Sequence, residues 1–516
     1  MDDKQKGQAC LAALLLLPTA LWFITAKAVF GIQPETARAQ VAFLLSNTFE
    51  LWQLKTAFIA GLVLAVVVCG LIIKFGSMTF RGASFDKYYR GSQLISQLEL
   101  KFKTRERNAQ ITIADVPVPI KAETTHFAIG GATGTGKTTI FKEMMCSAIK
   151  RGDKLAILDP DGEFLSTFYK PGDKILNPFD IRTEGWSFFN EIREDFDFER
   201  IAKSIIQKSE SSDSEEWNQY GRLLFHEVAR KVFYNSRNPS MREVFSWTNQ
   251  RDMDDLEKFV KGTNAQAIFT GNERASSSVR FVLSNKIPSH LKMPPGNFSI
   301  RKWLETPNDG NLFITWNESQ KDALKPLISC WVDTIYSSVL GMSSDRNRRI
   351  WTFLDELESL DHLATLNDAL TKGRKKGLCV ATGFQSYAQV EHVYGDKKAE
   401  TILGNHRSLL ALAVGRMGTS TAKKMSEALG EHEIKRMKEG SSQRWGQMGT
   451  RSENEDVKPE RIVMPAEISN LPDLEGFLSF PGSTPIARVK FEAVNYIRKE
   501  PVPGIIQADM KADFVC

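Results

Sequence analysis

The chain has 516 residues, with 67 Lys and Arg against 62 Asp and Glu for a formal net charge of +5. That is too long for one compact core, so two or three domains are expected, and the charge balance is too mild to require a polyanionic partner, although nucleic acid is allowed. The six cysteines, Cys10, Cys69, Cys146, Cys330, Cys379 and Cys516, form no CxxC pair and the seven histidines lack zinc-site spacing, so a reduced cytosolic setting without a disulfide frame or a transition metal is expected.

Two charge-free segments open the chain, residues 9–26 and 56–73. Each is close to the ~20 residues that span a hydrocarbon core, and both read as transmembrane helices. Lys6 with Lys27 and Lys55 with Lys74 bracket them, and Arg81, Lys87 and Arg90 follow the second. The positive-inside rule then favours both ends in the cytoplasm and the loop 27–55 outside it. The alternative for the first segment is a cleaved signal peptide, because Ala26-Lys27-Ala28 resembles a cleavage site. Residues 76–122 read as a polar connector, in which ITIADVPVPI (111–120) alternates as an edge strand kept at the margin by Pro117 and Pro119.

The next segment, GATGTGKTT, carries the strongest signal: Gly131, Ala132, Thr133, Gly134, Thr135, Gly136, Lys137, Thr138 and Thr139 satisfy GxxxxGK[ST]. A strand-like run, HFAI at 126–129, precedes it, and residues 140–152 follow with helical spacing and a terminal glycine. The physics is that of a P-loop. Backbone amides form an anion nest at a helix N-terminus, Lys137 reaches the β- and γ-phosphates, and the Thr138 hydroxyl ligates Mg²⁺. Asp159, Asp161 and Glu163 follow the second apolar run, and Glu163 is expected near the nucleotide or as a helix cap.

Residues 180–298 change character to amphipathic helices, with Ser240 and Glu243 as a capping box. They read as an all-α domain inserted into the core, where Trp217 is either packing or a pore residue. KSESSDSEE (208–216), residues 440–458 and the tail 500–516 read as loops or loosely held chain. Short apolar runs at 155–158, 312–314, 350–354, 378–381 and 409–414 read as buried parallel strands of a doubly wound α/β core.

At the end of the 350–354 run, Asp355 is placed to hold Mg²⁺ through water and Glu356 to orient the attacking water. Arg374, Lys375 and Lys376 form a basic cluster before the next strand, read as a solvated run or, in a ring, as the source of an arginine finger acting in trans through Arg374. Gln385 follows that strand and is placed to sense the γ-phosphate by hydrogen bonding. The catalytic set is therefore Lys137, Glu356, Arg374 and Gln385, with ATP and Mg²⁺ as cofactors.

These features occur in one order: two membrane segments, GATGTGKTT, AILDPDGEF (156–164), the helical insertion, FLDELESL, and GRKKGLCVATGFQSYAQV. Together they resemble the type IV secretion coupling proteins of plasmid conjugation across nearly the whole chain. The resemblance implies an α/β, RecA-like P-loop ATPase core with an inserted all-α domain and two N-terminal transmembrane helices. The expected organisation is an anchor over residues 1–75, a nucleotide-binding domain over 76–181 and 299–516, and the insertion over 182–298. It implies a multi-pass inner-membrane protein with a cytoplasmic main body, forming a homo-hexamer. Its partners would be DNA, single- or double-stranded and bound independently of sequence, the relaxase of the relaxosome, and the components of a type IV secretion channel. The function implied is a DNA-dependent ATPase that drives or licenses conjugative transfer. The alternatives are a protein-secretion ATPase of the same channel and a nucleotide-gated docking receptor that does not pump. The chain ends soon after the core, without the long acidic tail by which some relatives recruit relaxosome proteins.

Overall fold

The structure is a computed structural model that describes residues 3–32, 37–76, 87–209, 212–269, 273–360, 362–442, 450–494, 496 and 501–507. The chain divides into two compact units, residues 1–86 and 87–516.

In the first unit, α1 (Asp3–Phe30) and α3 (Trp52–Gly76) are joined by a short helix, α2 (Ala37–Ser46). Both long helices outrun the apolar segments 9–26 and 56–73, because flanking polar residues continue the helical hydrogen bonding. Cys10–Phe30 and Trp52–Leu71 are long and apolar enough to cross a membrane. They pack closely where Gly61 meets Pro18: a Cβ on Gly61 would stand 2.6 Å from the Pro18 Cα, so only glycine admits this approach. Trp22 buries its ring and donates its indole N–H to Thr48 Oγ1 at 3.0 Å. Leu11, Leu15, Leu16, Val63 and Val66 face outward, a distribution suited to lipid.

The second unit is built on a ten-stranded sheet. Its strands are β1 (Leu94–Ser96), β2 (Phe127–Gly130), β3 (Lys154–Pro160), β4 (Lys174–Leu176), β5 (Leu312–Trp316), β6 (Ile350–Leu354), β7 (Leu378–Phe384), β8 (Ser408–Leu412), β9 (Glu475–Ser479) and β10 (Ile486–Lys490). The spatial order is β1-β10-β9-β8-β2-β7-β6-β3-β5-β4. Pairing is parallel from β8 through β4 and antiparallel where β9 joins β8 and β10. The central strands are almost wholly apolar, with buried Thr315, Thr352 and Thr382 among the exceptions, because helices cover both faces. Along β6 the residues divide by the pleat: Ile350 and Leu354 join one core cluster, Trp351 and Phe353 the other. The first cluster continues through Trp331 and Tyr336 of the helix Lys321–Gly341 into Phe188, Phe225 and Val228 of the inserted helices.

The chain enters and leaves that helical region side by side. Trp186 bridges Phe298, and buried Glu191 accepts from the Trp186 indole, the Ser299 hydroxyl and the backbone of Ile300 and Arg301. The two connections of the insertion are thereby tied to each other at its root.

Four expectations are corrected. ITIADVPVPI does not run along the sheet edge; Thr112–Ile113 and Val116–Pro117 form a separate hairpin, turned by Ala114 and Asp115 at φ 52° and 60°. Residues 208–216, expected as a loop, contribute the start of the helix Ser212–Asn235, whose first turn holds Asp213 and Glu215 against the dipole, while 210 and 211 lie outside the described residues. Residues 440–458 fall on a hairpin of Glu431–Ser442 with Thr450–Arg461, apart from 443–449, which lie outside the described residues. Residues 501–507 of the tail are held: Ile506 donates its N–H to Asp180 Oδ2 at 3.1 Å, and Arg182 donates to the carbonyls of Pro503 and Gly504. Residues 508–516, with Cys516, lie outside the described residues.

Candidate functional site

The P-loop leaves β2 at its C-terminal end and is secured from both sides. Gly131 N–H donates to Phe384 O of β7 at 3.1 Å, and Ala132 N–H donates to Ala413 O, just past β8, at 2.8 Å. Gly136, at φ 108°, turns the chain into α4 (Lys137–Arg151); a Cβ there would stand 2.7 Å from the Phe491 ring. Leu474 completes the support. It sits at φ 62°, unusual for leucine, and donates its N–H to Thr135 O at 3.1 Å. Nothing in the local sequence marks Leu474 for this role; it lies just before β9, two strands from β2 in the sheet, and only tertiary structure brings it to the loop.

Lys137 Nζ donates to Gly131 O at 2.6 Å and to Ala132 O at 3.1 Å. Burial pulls its pKa down, partly opposed by Asp355, Glu358 and Glu356. Thr138 Oγ1 lies 3.4 Å from Asp355 Oδ2. Asp355 Oδ1 is buried and finds no hydrogen-bond partner among the described residues, and burial pushes this carboxyl up to about 6. A hydroxyl beside a carboxylate with an unused buried oxygen is a donor set that fits Mg²⁺, directly through Thr138 and through water at Asp355. Thr133, Gly134, Thr135 and Thr139 complete the loop and the first turn of α4.

β6 and β7 deliver the remaining groups. Glu356 and Gln385 meet: the Gln385 Nε2 amide donates to Glu356 Oε1, and Thr133 Oγ1 donates to Gln385 Oε1 at 3.3 Å. Lys137, Thr138, Asp355, Glu356 and Gln385 are therefore one constellation at the C-terminal edge of the sheet. Glu358, which the sequence reading passed over, belongs to it. Its Oε1 accepts the Gln385 backbone N–H at 2.7 Å, and burial raises its pKa. The signal available was a third acid in the run DELE, three positions beyond Asp355.

Glu163 heads the helix Glu163–Phe168 and pairs with Lys142 of α4 at 2.6 Å. The cap is supplied instead by Asp159, which accepts from the N–H groups of Phe164 and Leu165 at 2.9 and 2.6 Å and is pushed by burial up to about 7.

Arg374 is not part of the constellation in its own chain. It lies on the single 3₁₀ turn Gly373–Lys376 that precedes β7, exposed at the opposite, N-terminal edge of the sheet. Lys376 is drawn to the Met342 carbonyl. A groove of about 700 Å³ opens at this same edge, among Lys154, Asn311, Met342, Arg348 and Arg349. Trp217 is half-buried against the helical core beside Tyr220, as a packing residue is.

Residues 110–492 match the model of the type IV secretion-system coupling protein DNA-binding domain. The conjugative coupling protein TrwBdeltaN70, solved unbound, is 46% identical with a TM-score of 0.78, covering 84% of this chain and 99% of its own. TrwB in complex with ADP and Mg²⁺ is likewise 46% identical, with a TM-score of 0.76 over 83% of this chain and 100% of that one. The coupling protein TraD of Escherichia coli strain K12 is 29% identical over 95% of this chain and 71% of its own length.

Proposed function

The chain belongs to the type IV secretion-system coupling proteins, and from that premise we propose that it is an inner-membrane ATPase stimulated by DNA, which joins relaxase-bound DNA to the secretion channel and works as a homo-hexamer. ATP and Mg²⁺ are its cofactors, as the ADP–Mg²⁺ and ADPNP complexes of its relatives support. The observation that carries the reading is the convergence of Lys137, Asp355, Glu356 and Gln385 at one strand edge of a RecA-like sheet.

The residues divide the work as follows. The amides of residues 131–139 take the phosphates, and the Lys137 ammonium, now on loop carbonyls, exchanges them for β- and γ-phosphate oxygens. Thr138, directly, and Asp355, through water, would hold Mg²⁺, which when bound would supply charge neutralisation to the phosphates. Glu356 orients water for in-line attack on the γ-phosphate, and Gln385 senses that phosphate. Arg374, remote from its own P-loop and exposed, serves the adjacent site in the ring, where a head-to-tail interface brings one subunit's N-terminal strand edge to the next subunit's P-loop. The anchor is residues 1–75, the nucleotide-binding domain 76–181 and 299–516, and the inserted all-α domain 182–298. Two candidate spans with both ends on one side support a main body in the cytoplasm, where ATP is available.

The test is ATP turnover of the purified protein with and without DNA. Strong stimulation by DNA of either strandedness is expected. Indifference to DNA with stimulation by a secreted protein would replace this reading with protein export, and nucleotide binding with negligible turnover would replace it with a docking receptor.

A further inference from the structure

Glu358 has no part in the division of work above, yet its contacts are specific. The sequence FLDELESL carries three acids past the end of β6. Asp355 and Glu356 lie at the P-loop, and the following 3₁₀ turn, Leu357–Ser359, folds Glu358 back beneath the end of β7. There its Oε1 accepts the Gln385 backbone N–H at 2.7 Å, while Oε2 is buried and finds no hydrogen-bond partner among the described residues. A buried carboxylate oxygen without a partner is costly, so its place needs a reason.

Gln385 supplies one. It is the first residue beyond β7, and its carboxamide stands between the P-loop and the candidate base, taking the Thr133 hydroxyl on Oε1 and giving its N–H to Glu356. Fixing the Gln385 backbone fixes where that carboxamide stands. A Glu356 oxygen engaged by the Gln385 N–H is unable to accept a hydrogen bond from the attacking water along the same direction. A γ-phosphate arriving at the P-loop offers the carboxamide a competing, more highly charged acceptor.

Resting on the ATPase reading, we propose that Glu358 is a positioning residue. By holding the Gln385 backbone it sets the carboxamide as a clamp on Glu356, and the γ-phosphate releases the base by taking over the carboxamide N–H. Hydrolysis is then armed only where a triphosphate is bound.

The test compares Glu358→Ala with Glu358→Gln in the full-length protein, reading kcat and KM for ATP with DNA present, the affinity for a fluorescent ATP analogue, and Tm. Loss of a supporting hydrogen-bond partner costs about 10- to 100-fold in activity. Glu358→Ala leaves the carboxamide without a fixed place against the γ-phosphate that must take over its N–H, so the base stays engaged and the variant is expected to lose kcat by that amount at unchanged nucleotide affinity and Tm. Glu358→Gln keeps a carbonyl oxygen for the Gln385 N–H and is expected to restore most of it. Adding Glu358→Ala to Gln385→Ala should cost nothing further, since both act through one carboxamide. Glu358→Gln as slow as Glu358→Ala would overturn the proposal in favour of a direct charge role. Nucleotide affinity and Tm falling together with kcat would reduce Glu358 to support of the fold, and additive losses would separate it from Gln385. A wild type that never hydrolyses ATP overturns the ATPase reading first and this inference with it.

Discussion

Lys137 and Glu356 stand at the same strand edge, but their chemistry predicts separable defects. Lys137→Ala removes a charge that holds the phosphates in the bound state and more strongly still as charge redistributes in the transition state, so ATP-analogue affinity should fall and turnover collapse, the latter by about 10²–10³-fold or more. Glu356→Gln should bind normally and stall. Titration with a fluorescent analogue beside a phosphate-release assay separates the two, and equal loss of affinity in both variants would remove Glu356 as the base. The residues that sequence located, 131–139, Asp355 and Glu356, are those whose chemistry needs fixed spacing along the chain. Leu474 and Glu358 were not legible because their roles depend on what the fold brings beside them. The histidines show the same limit. His126, at φ 64°, takes the Val380 N–H on Nδ1 and bonds Leu370 O through Nε2; His406 bonds Ile402 O and Thr382 Oγ1. Burial lowers their pKa values to about 3 and about 4. The unfolded chain, with histidine near 6.5, therefore binds protons that the folded chain refuses. Stability is full above pH about 6.5 and is lost as pH falls toward 4. Melting temperatures from pH 7.5 to 4.5 should fall, with a shallower slope in His406→Gln.

At the scale of elements, the central strands were legible because burial on both faces makes them apolar runs; β6 was read at its observed bounds, Ile350–Leu354. The short strands β1, β4, β9 and β10 were not, since sequences such as EGFLS and IARVK mix polar and apolar residues at the sheet margin. The hairpin 431–461 escaped because its charged sequence reads as loop and its pairing comes from register alone. The turn from the P-loop into α4 makes a sharper prediction. Gly136→Ala must hold alanine at φ 108° against the Phe491 ring, costing about 1–3 kcal/mol. Thermal melts should fall and nucleotide binding should fail, whereas Ala132→Gly should retain both. For the turn before β7, Arg374→Ala should bind ATP yet hydrolyse about 10³- to 10⁵-fold more slowly. Lys137→Ala subunits, which keep Arg374, should partly rescue it in mixed rings. Co-assembled mixtures no faster than the sum of their parts would exclude action across an interface and turn attention to Lys375 and Lys376.

For the molecule as a whole, the two long apolar helices with outward-facing Leu and Val give the first unit the length and surface of a membrane anchor, while the second unit carries the P-loop constellation. In the proposed hexamer, helix contacts within the bilayer would add to those between nucleotide-binding domains. Removing the residues before about Lys74 should therefore yield a soluble ATPase that associates less strongly. Analytical ultracentrifugation across a dilution series checks this, and a truncated protein that stays fully hexameric when dilute would refute it.

The strand β7 begins beside Arg374 and ends beside Gln385, about 20 Å away for seven extended residues, and it is hydrogen-bonded to neighbours along both edges. A strand held in this way would pass a displacement along its length more readily than absorb it. In the closed ring proposed above, Gln385 would register one subunit's nucleotide and Arg374 would be offered to the adjoining subunit's, so the two would be the tips of one lever. Subunits linked in this way would fire in succession and not independently. The ring would advance its cargo in strokes passed from neighbour to neighbour, and one dead subunit would interrupt the whole circuit out of proportion to its share.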